Sequence, residues 1–160
     1  MKEQILIFGL GHIGGSIAKS LLKQGIKVYA EDLSKKTIRY AIKNKIIKGT
    51  LSDLDLSKPY SIIFSTPPII TNELINENKD LIKNAVLFTE TSSSKNKIKK
   101  NAFINKIENA ILSHPIAGNE GSGIDASDMK LFKNKICILS PLKMTSRNSI
   151  TKAKNCLLYT

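Results

Sequence analysis

The chain has 160 residues, of which 41% are apolar and 24% charged, so the composition predicts one folded domain and excludes a disordered chain. The net charge is +12, but only two of the 25 basic residues are arginines and tryptophan is absent, which argues against a dedicated nucleic-acid-binding protein. No apolar run reaches the roughly 18–20 residues that cross a bilayer, and the N-terminus shows no signal-peptide pattern. The two cysteines lack the spacing of a disulfide framework or a zinc site. We therefore expect a cytoplasmic protein without a metal or a membrane partner.

Strand-like apolar runs alternate along the chain with segments of helical periodicity. We predict strands over 4–8, 27–30, 61–65, 85–89, 110–113 and 136–139, and helices over 13–24, 35–44, 73–83 and 95–106. Ser34 is expected to cap the second helix and one of the serines at 92–94 the fourth, with Ile98, Ala102 and Ile104 facing inward. This alternation indicates βαβ units, and therefore an α/β protein with a mostly parallel sheet and flanking helices.

A glycine-rich loop joins the first predicted strand to the first predicted helix. Gly9, Gly11 and Gly14 form a G-x-G-x-x-G pattern in the context in which that pattern binds dinucleotides. The first glycine permits a tight turn, the second lets the backbone approach a pyrophosphate, and the third lets the helix pack on the sheet. The helix N-terminus then offers free N–H groups to phosphates. We therefore predict a Rossmann-type doubly wound fold, with cofactor contacts from Gly9, Leu10, Gly11, His12, Ile13 and Gly14.

Asp32 follows at the end of the second predicted strand. A carboxylate at this place accepts hydrogen bonds from the adenosine ribose and repels a 2′-phosphate, which favours NAD over NADP. Lys35 and Lys36 follow closely and soften that preference. The alternative for the loop is a glycine-rich turn without a ligand. For His12, an outward-facing loop residue is the favoured alternative to a cofactor contact.

His114 follows the fifth predicted strand and precedes Pro115. Because proline restricts the residue before it to an extended backbone, the imidazole is held at a strand's carboxyl end, where open α/β sheets bind ligands. The glycines at 118, 121 and 123 predict a loop whose backbone approaches a ligand. An imidazole ordinarily titrates near neutral pH and can therefore serve as a general base. A histidine without a catalytic role is the equal alternative.

Three segments, in this order, carry a resemblance to a known family. They are Gly-Leu-Gly-His-Ile-Gly-Gly-Ser at 9–16, Thr-Glu-Thr-Ser-Ser-Ser-Lys at 89–95 and His-Pro-Ile-Ala-Gly-Asn-Glu at 114–120. With Leu131-Phe132 and the strand ending at Pro141, they resemble the N-terminal domain of the prephenate/arogenate dehydrogenase family of tyrosine biosynthesis. The histidine segment is fairly specific to that family, whereas the glycine loop is shared with many dehydrogenases.

The resemblance implies an NAD-dependent oxidative decarboxylation of prephenate or arogenate. Hydride leaves the ring carbon that carries the hydroxyl group, a base accepts the hydroxyl proton, and loss of carbon dioxide makes the ring aromatic. By this resemblance His114 is the base, and Ser93 hydrogen-bonds near the hydroxyl and the nicotinamide unless it is a helix cap. For Lys95, a solvated lysine and a site residue are equal alternatives. The remaining implied contacts are with the nicotinamide ribose (Ser65, Thr66 and Pro67) and with the substrate (Gly118 and Glu120).

Two residues depart from the family's pattern, which usually has aspartate where Glu90 stands and a small residue where Ser92 stands. Family members also continue into a helical domain that provides most of a homodimer interface and an arginine for the substrate. We therefore expect a dinucleotide-binding domain over 1–142 and the start of a truncated helical continuation over 143–160. The inward side of that last helix is predicted to carry Ile150, Ala153, Leu157 and Leu158. Two other classes stay open: another Rossmann oxidoreductase, and a non-catalytic NAD-binding module.

Overall fold

The computed structural model describes residues 3–118 and 120–157, with the backbone alone for 154–157. Its strands are β1 (Gln4–Phe8), β2 (Lys27–Glu31), β3 (Tyr60–Phe64), β4 (Leu87–Glu90), β5 (Ala110–Pro115) and β6 (Cys137–Pro141). Its helices are α1 (His12–Lys23), α2 (Lys35–Lys43), α3 (Pro68–Glu77), α4 (Lys79–Asn84), α5 (Asn96–Ile104) and α6 (Arg147–Leu157), with a 3-10 turn at Leu51–Asp53. One sheet runs in the order β2-β1-β3-β4-β5-β6. Only β5 and β6 of these neighbours pair antiparallel, so the predicted α/β fold with a mostly parallel sheet is confirmed.

Helices cover both faces of the sheet because successive residues of a strand point to opposite faces. Leu6 and Phe8 of β1 belong to the core that also holds residues of α3, α4 and α5. Ile5 and Ile7 of the same strand belong to the core that holds residues of α1 and α2. The Phe8 ring packs edge to face on Phe64, at a centroid distance of 4.8 Å. Burial of each such side chain stabilises the fold by roughly 1.5–3 kcal/mol. The alternation therefore holds each strand in one register, and that register fixes where the strand ends lie.

The third predicted helix differs most from the structure. Instead of one helix over 73–83, α3 begins at Pro68 and α4 follows a break at Asn78. Proline suits the first turn of a helix, where its missing N–H has no partner to lose, so the Pro67-Pro68 pair marks a helix start as well as a strand end. The backbone and side-chain N–H groups of Asn78 both donate to the Leu74 carbonyl oxygen, which closes α3.

The α5 helix lacks the predicted serine cap. Its N-cap residue is Lys95, whose side chain makes no cap hydrogen bond. Ile98 and Ala102 are buried as predicted, but Ile104 is 65% exposed. The helix ends at that residue, and the chain turns so that Ile107 is buried in its place.

The last helix, α6, packs on the same sheet. Its predicted inward residues Ile150 and Ala153 lie in a small core with residues of β4 and β5. Leu158 and the side chain of Leu157 lie outside the described residues, and the division at residue 142 stays a prediction. Among the helices of the described chain, none combines the length and apolar character that a bilayer crossing requires.

Candidate functional site

The glycine loop lies at the carboxyl edge of the sheet, between β1 and α1. Gly9 adopts a φ of +88°, which side-chain-bearing residues rarely do, and its N–H donates to the Glu31 carbonyl oxygen at 2.8 Å. A Cβ atom on Gly14 would lie 1.9 Å from the Gly9 carbonyl oxygen, so the loop closes only with glycine there. No described atom lies within 4 Å of the position that a Cβ atom on Gly11 would take. Gly11 is also the N-cap of α1, so the first N–H groups of that helix lie beside open space.

Asp32 joins the end of β2 to this loop. One carboxylate oxygen accepts from the Leu10 N–H at 2.7 Å, and the other accepts from the Ser34 N–H at 2.8 Å. Each oxygen keeps further lone-pair capacity, so the oriented carboxylate can still accept a hydrogen bond from a ribose hydroxyl. The Ser34 hydroxyl accepts from the Thr37 N–H at 3.2 Å, which confirms the predicted cap of α2.

A cleft of about 590 Å³ opens beside the glycine loop and the ends of β2 and β3. It brings together six of the predicted cofactor residues: Gly9, Gly11, Asp32, Ser65, Thr66 and Pro67. Its other lining residues are Phe8, Glu31, Leu33, Ile70, Leu74, Glu77 and Asn78. The α3 members were not predicted. A start at Pro68, five residues before the expected one, adds Ile70 to the helix face that Leu74 and Glu77 share by helical spacing.

Four predicted loop residues lie outside the cleft lining: Gly14, described above, and Leu10, His12 and Ile13. Leu10 is 1% exposed, so only its backbone faces Asp32. Ile13 is half-buried and packs against the core beneath α1. Both ring nitrogens of His12 are buried, and neither has a hydrogen-bond partner among the described residues. The outward-facing alternative for His12 is therefore wrong.

His114 lies at the same edge of the sheet, at the end of β5. That strand runs to Pro115, beyond its predicted end, and there His114 pairs with Ile138 of antiparallel β6. The imidazole is half-buried, and its Nδ1 lies 3.5 Å from the Thr91 carbonyl oxygen. This separation is long for a hydrogen bond, but it directs one ring nitrogen at the backbone and turns Nε2 away from it.

An ion pair between a half-buried lysine and a fully buried acid lies between the ends of β4 and β5. The Glu90 carboxylate is fully buried and pairs with the Lys95 ammonium group. That ammonium also donates to the carbonyl oxygens of Ser92 and Ser113, the latter at 2.5 Å. Burial lowers the pKa of Lys95, while its hydrogen bond to Glu90 and the Glu90 charge act in the opposite direction. Lys95 is thus not the solvated lysine that one alternative described. Apart from the departure of Glu90 from the family's pattern, no sequence signal predicted this network.

Three predicted site residues are exposed. Ser93 lies in the loop between β4 and α5 and makes no hydrogen bond to a described residue; its alternative role as the α5 cap is wrong, since Lys95 occupies that position. Gly118 and Glu120 are exposed in the segment after β5. The structure therefore gathers one set of predicted residues in the cleft and places His114 at the same sheet edge. The roles of Ser93, Gly118 and Glu120 stay predictions.

Comparisons with known proteins cover nearly the whole chain. The family model described as prephenate dehydrogenase, nucleotide-binding domain, matches residues 17–160. A prephenate dehydrogenase of Bacillus subtilis (strain 168) is 30% identical in an alignment that covers 98% of this chain and 44% of that protein. The chain thus spans less than half the length of that curated relative.

Two solved structures have the same fold. Prephenate dehydrogenase from A. aeolicus, in complex with hydroxyphenyl propionate and NAD+, matches with a TM-score of 0.86 and 28% identity, over 99% of this chain and 57% of that one. Synechocystis arogenate dehydrogenase matches with a TM-score of 0.81 and 26% identity, over 97% of this chain and 56% of that one. The family resemblance of the sequence is confirmed.

Proposed function

Because the chain belongs to the prephenate dehydrogenase family, as a nucleotide-binding domain, we propose that it binds NAD and supplies the base for oxidative decarboxylation of prephenate or arogenate in tyrosine biosynthesis. One observation supports this most directly. The glycine loop, Asp32 and residues 65–67 line a single cleft, and His114 lies at the same edge of the sheet.

The residues of the cleft fit a dinucleotide. Its volume of about 590 Å³ lies within the range of pockets that hold small ligands. The open side of Gly11 and the first N–H groups of α1 suit a pyrophosphate. The Asp32 carboxylate suits ribose hydroxyls and disfavours a 2′-phosphate, which gives the preference for NAD. Residues 65–67, after β3, then line the nicotinamide ribose.

The chemistry follows from the orientation of His114. A neutral imidazole that keeps its proton on Nδ1, toward the Thr91 carbonyl oxygen, presents the Nε2 lone pair to the substrate hydroxyl. His114 accepts the hydroxyl proton at Nε2 while hydride leaves the same ring carbon and carbon dioxide is lost from the ring. Bound NAD supplies the hydride acceptor. Ser93, on the neighbouring loop, hydrogen-bonds near that hydroxyl.

The test begins with titration of the chain with NAD and NADP, followed by NADH formation from prephenate and from arogenate. We expect NAD to bind more tightly than NADP. His114→Gln should leave NAD affinity unchanged and lower NADH formation by about 10²–10⁴-fold, the usual contribution of a general base. Lys99→Met, an exposed lysine of α5, serves as the control and should behave as the unmodified chain.

Two results would count against the proposal. Absence of NAD binding contradicts it outright. NAD binding without turnover of either substrate favours the alternative of a non-catalytic NAD-binding module, for which the exposure of Gly118 and Glu120 is the supporting observation.

A further inference from the structure

We propose that Glu90 and Lys95 form a positioning pair, which holds the backbone before His114 against the loop that carries Ser93. This inference rests on the proposed function, in which His114 is the base and Ser93 its neighbour. It assigns to the pair no contact with substrate or cofactor. The pair acts through the backbone of two strand ends.

Every proton of the Lys95 ammonium group has an acceptor. The three acceptors are Glu90 Oε1 and the carbonyl oxygens of Ser92 and Ser113. Glu90 ends β4, Ser113 lies in β5, and Ser92 lies in the loop after β4, so one side chain joins both strands at the residue before His114. Because an ammonium group has three N–H donors, Lys95 has none left for a substrate carboxylate. Lys95 is therefore a positioning residue and not the cation that binds the substrate.

Glu90 anchors the same loop through its second carboxylate oxygen. That oxygen accepts from the N–H of Ser92, at 2.9 Å, and from the Ser92 hydroxyl. The Ser113 hydroxyl donates to the Glu90 carbonyl oxygen at 2.8 Å. Thr91 lies between the two anchored residues, and its carbonyl oxygen is the one that faces His114 Nδ1. The anchors thus set both the loop with Ser93 and the acceptor that orients the imidazole.

The charged pair is hard to explain by stability alone. Desolvation of two charges is costly, and replacement of a buried ion pair by apolar residues is often neutral or stabilising. An apolar pair would leave the Ser92 and Ser113 carbonyl oxygens without their shared donor. Arginine would not substitute, because the N–H donors of its guanidinium group all lie in one plane, whereas a compact ammonium group directs its three donors along different directions. The geometry therefore favours a positioning role.

The experiment uses the two histidines of the chain as reporters. An NMR spectrum of the imidazole groups should contain one signal from His12 and one from His114, and His114→Gln assigns them. In Lys95→Met, and in Glu90→Gln/Lys95→Met, we expect the His114 signal to shift and broaden while the His12 signal and the NAD affinity stay unchanged. The control Lys99→Met should leave both signals in place. An unmoved His114 signal in the two pair variants overturns the proposal.

The double variant separates positioning from stability, because it leaves no unpaired buried charge. We expect its thermal midpoint to return toward that of the unmodified chain while the His114 signal stays displaced. Return of the signal together with the stability overturns the proposal. If neither variant folds, the acetylation rates of lysines in the unmodified chain test the proposal. Lys95 should be acetylated at least about tenfold more slowly than Lys99, because an amine held by hydrogen bonds must be released before it reacts. Equal rates overturn the proposal.

Turnover gives an independent readout where it is measurable. Misplacement of a reacting group by about 1 Å costs on the order of 100-fold, so we expect kcat of the double variant to fall by about that factor with KM for NAD unchanged. A raised KM for NAD with unchanged kcat overturns the proposal. The histidine signals are recorded without cofactor, whereas NAD titration of the unmodified chain tests the proposed function. Failure of the positioning proposal can therefore be distinguished from failure of the proposed function.

Discussion

The glycine loop at 9–14 and the end of β5 at His114 lie on one edge of the sheet, but they hold their functional groups by different means. In the loop, backbone N–H groups face the ligand space, and the decisive residues are those that lack a side chain, such as Gly11 and Gly14. At His114 the functional group is a side chain, and its surroundings are held by the buried pair of Glu90 and Lys95. We therefore expect substitutions that enlarge a side chain to disrupt the first region, and substitutions that remove a charge to disrupt the second.

The largest expected effect comes from the histidine region. Lys95→Met leaves the fully buried Glu90 carboxylate without its partner, and removal of one member of a buried pair typically lowers the free energy of unfolding by about 3–5 kcal/mol. Urea unfolding measures this loss. Glu90→Gln/Lys95→Met should recover most of it. Equal stability of the single variant and the unmodified chain would show that the pair is not isolated from water.

A second prediction concerns Asp32, the charged residue that contacts the glycine loop. Asp32→Ala removes the acceptor for the Leu10 N–H and for the ribose hydroxyls, and hydrogen bonds to a charged group contribute about 1.5–3 kcal/mol. We expect NAD affinity to fall about tenfold or more and the preference over NADP to shrink, as measured by calorimetric titration. Asp80→Asn, an exposed carboxylate of α4, is the control. Unchanged NAD affinity in Asp32→Ala would contradict the assignment of the cleft.

Two glycine variants sharpen the comparison further. Gly14→Ala places a methyl group on the Gly9 carbonyl oxygen, and overpacking of this kind costs about 1–3 kcal/mol of folding stability. The methyl group added by Gly11→Ala has no described atom within 4 Å, so thermal unfolding should be unchanged while NAD affinity falls. The same stability loss in both variants would show that the space beside Gly11 is not reserved for a ligand.

The smallest effect is expected at α2, beyond both regions. Ser34→Ala removes the cap hydrogen bond to Thr37 and should lower the free energy of unfolding by about 1 kcal/mol. NAD affinity should stay unchanged, because the contact of this residue with Asp32 uses the backbone N–H. Circular dichroism during thermal unfolding and NAD titration measure the two quantities. A weakened NAD affinity would mean that the cap also orients Asp32.

The glycine region could be predicted from the sequence because the residues that form it are close together in the chain. One strand, three glycines and Asp32 lie within a short stretch, and the structure brings them to one cleft with Ser65, Thr66 and Pro67. The strands could also be predicted, since runs of apolar and β-branched residues indicate them. The first turn of α3, with Ile70 of the cleft lining, could not be predicted in this way, because the Pro67-Pro68 pair was interpreted as the end of β3 alone.

The histidine region was only partly readable. The sequence places His114 after a strand, but the network beside it joins residues 90, 92, 95 and 113, and no periodicity or spacing indicates which side chains meet across two strands. Lys95 stands in a lysine-rich segment, where a solvated side chain is the ordinary expectation. Its different environment arises from tertiary contacts alone. The same holds for Ile104, whose helical spacing predicted burial although α5 ends at that residue.

The Glu90–Lys95 pair also constrains how this chain can evolve. A change at position 90 alters the length or charge of the group that accepts from Lys95, and a change at position 95 leaves Ser92 and Ser113 without a donor. Single substitutions that remove the carboxylate at position 90 or the ammonium group at position 95 are therefore expected to be purged, whereas paired substitutions can be inherited together. In a set of aligned relatives, positions 90 and 95 should covary more strongly with each other than either does with exposed Lys99.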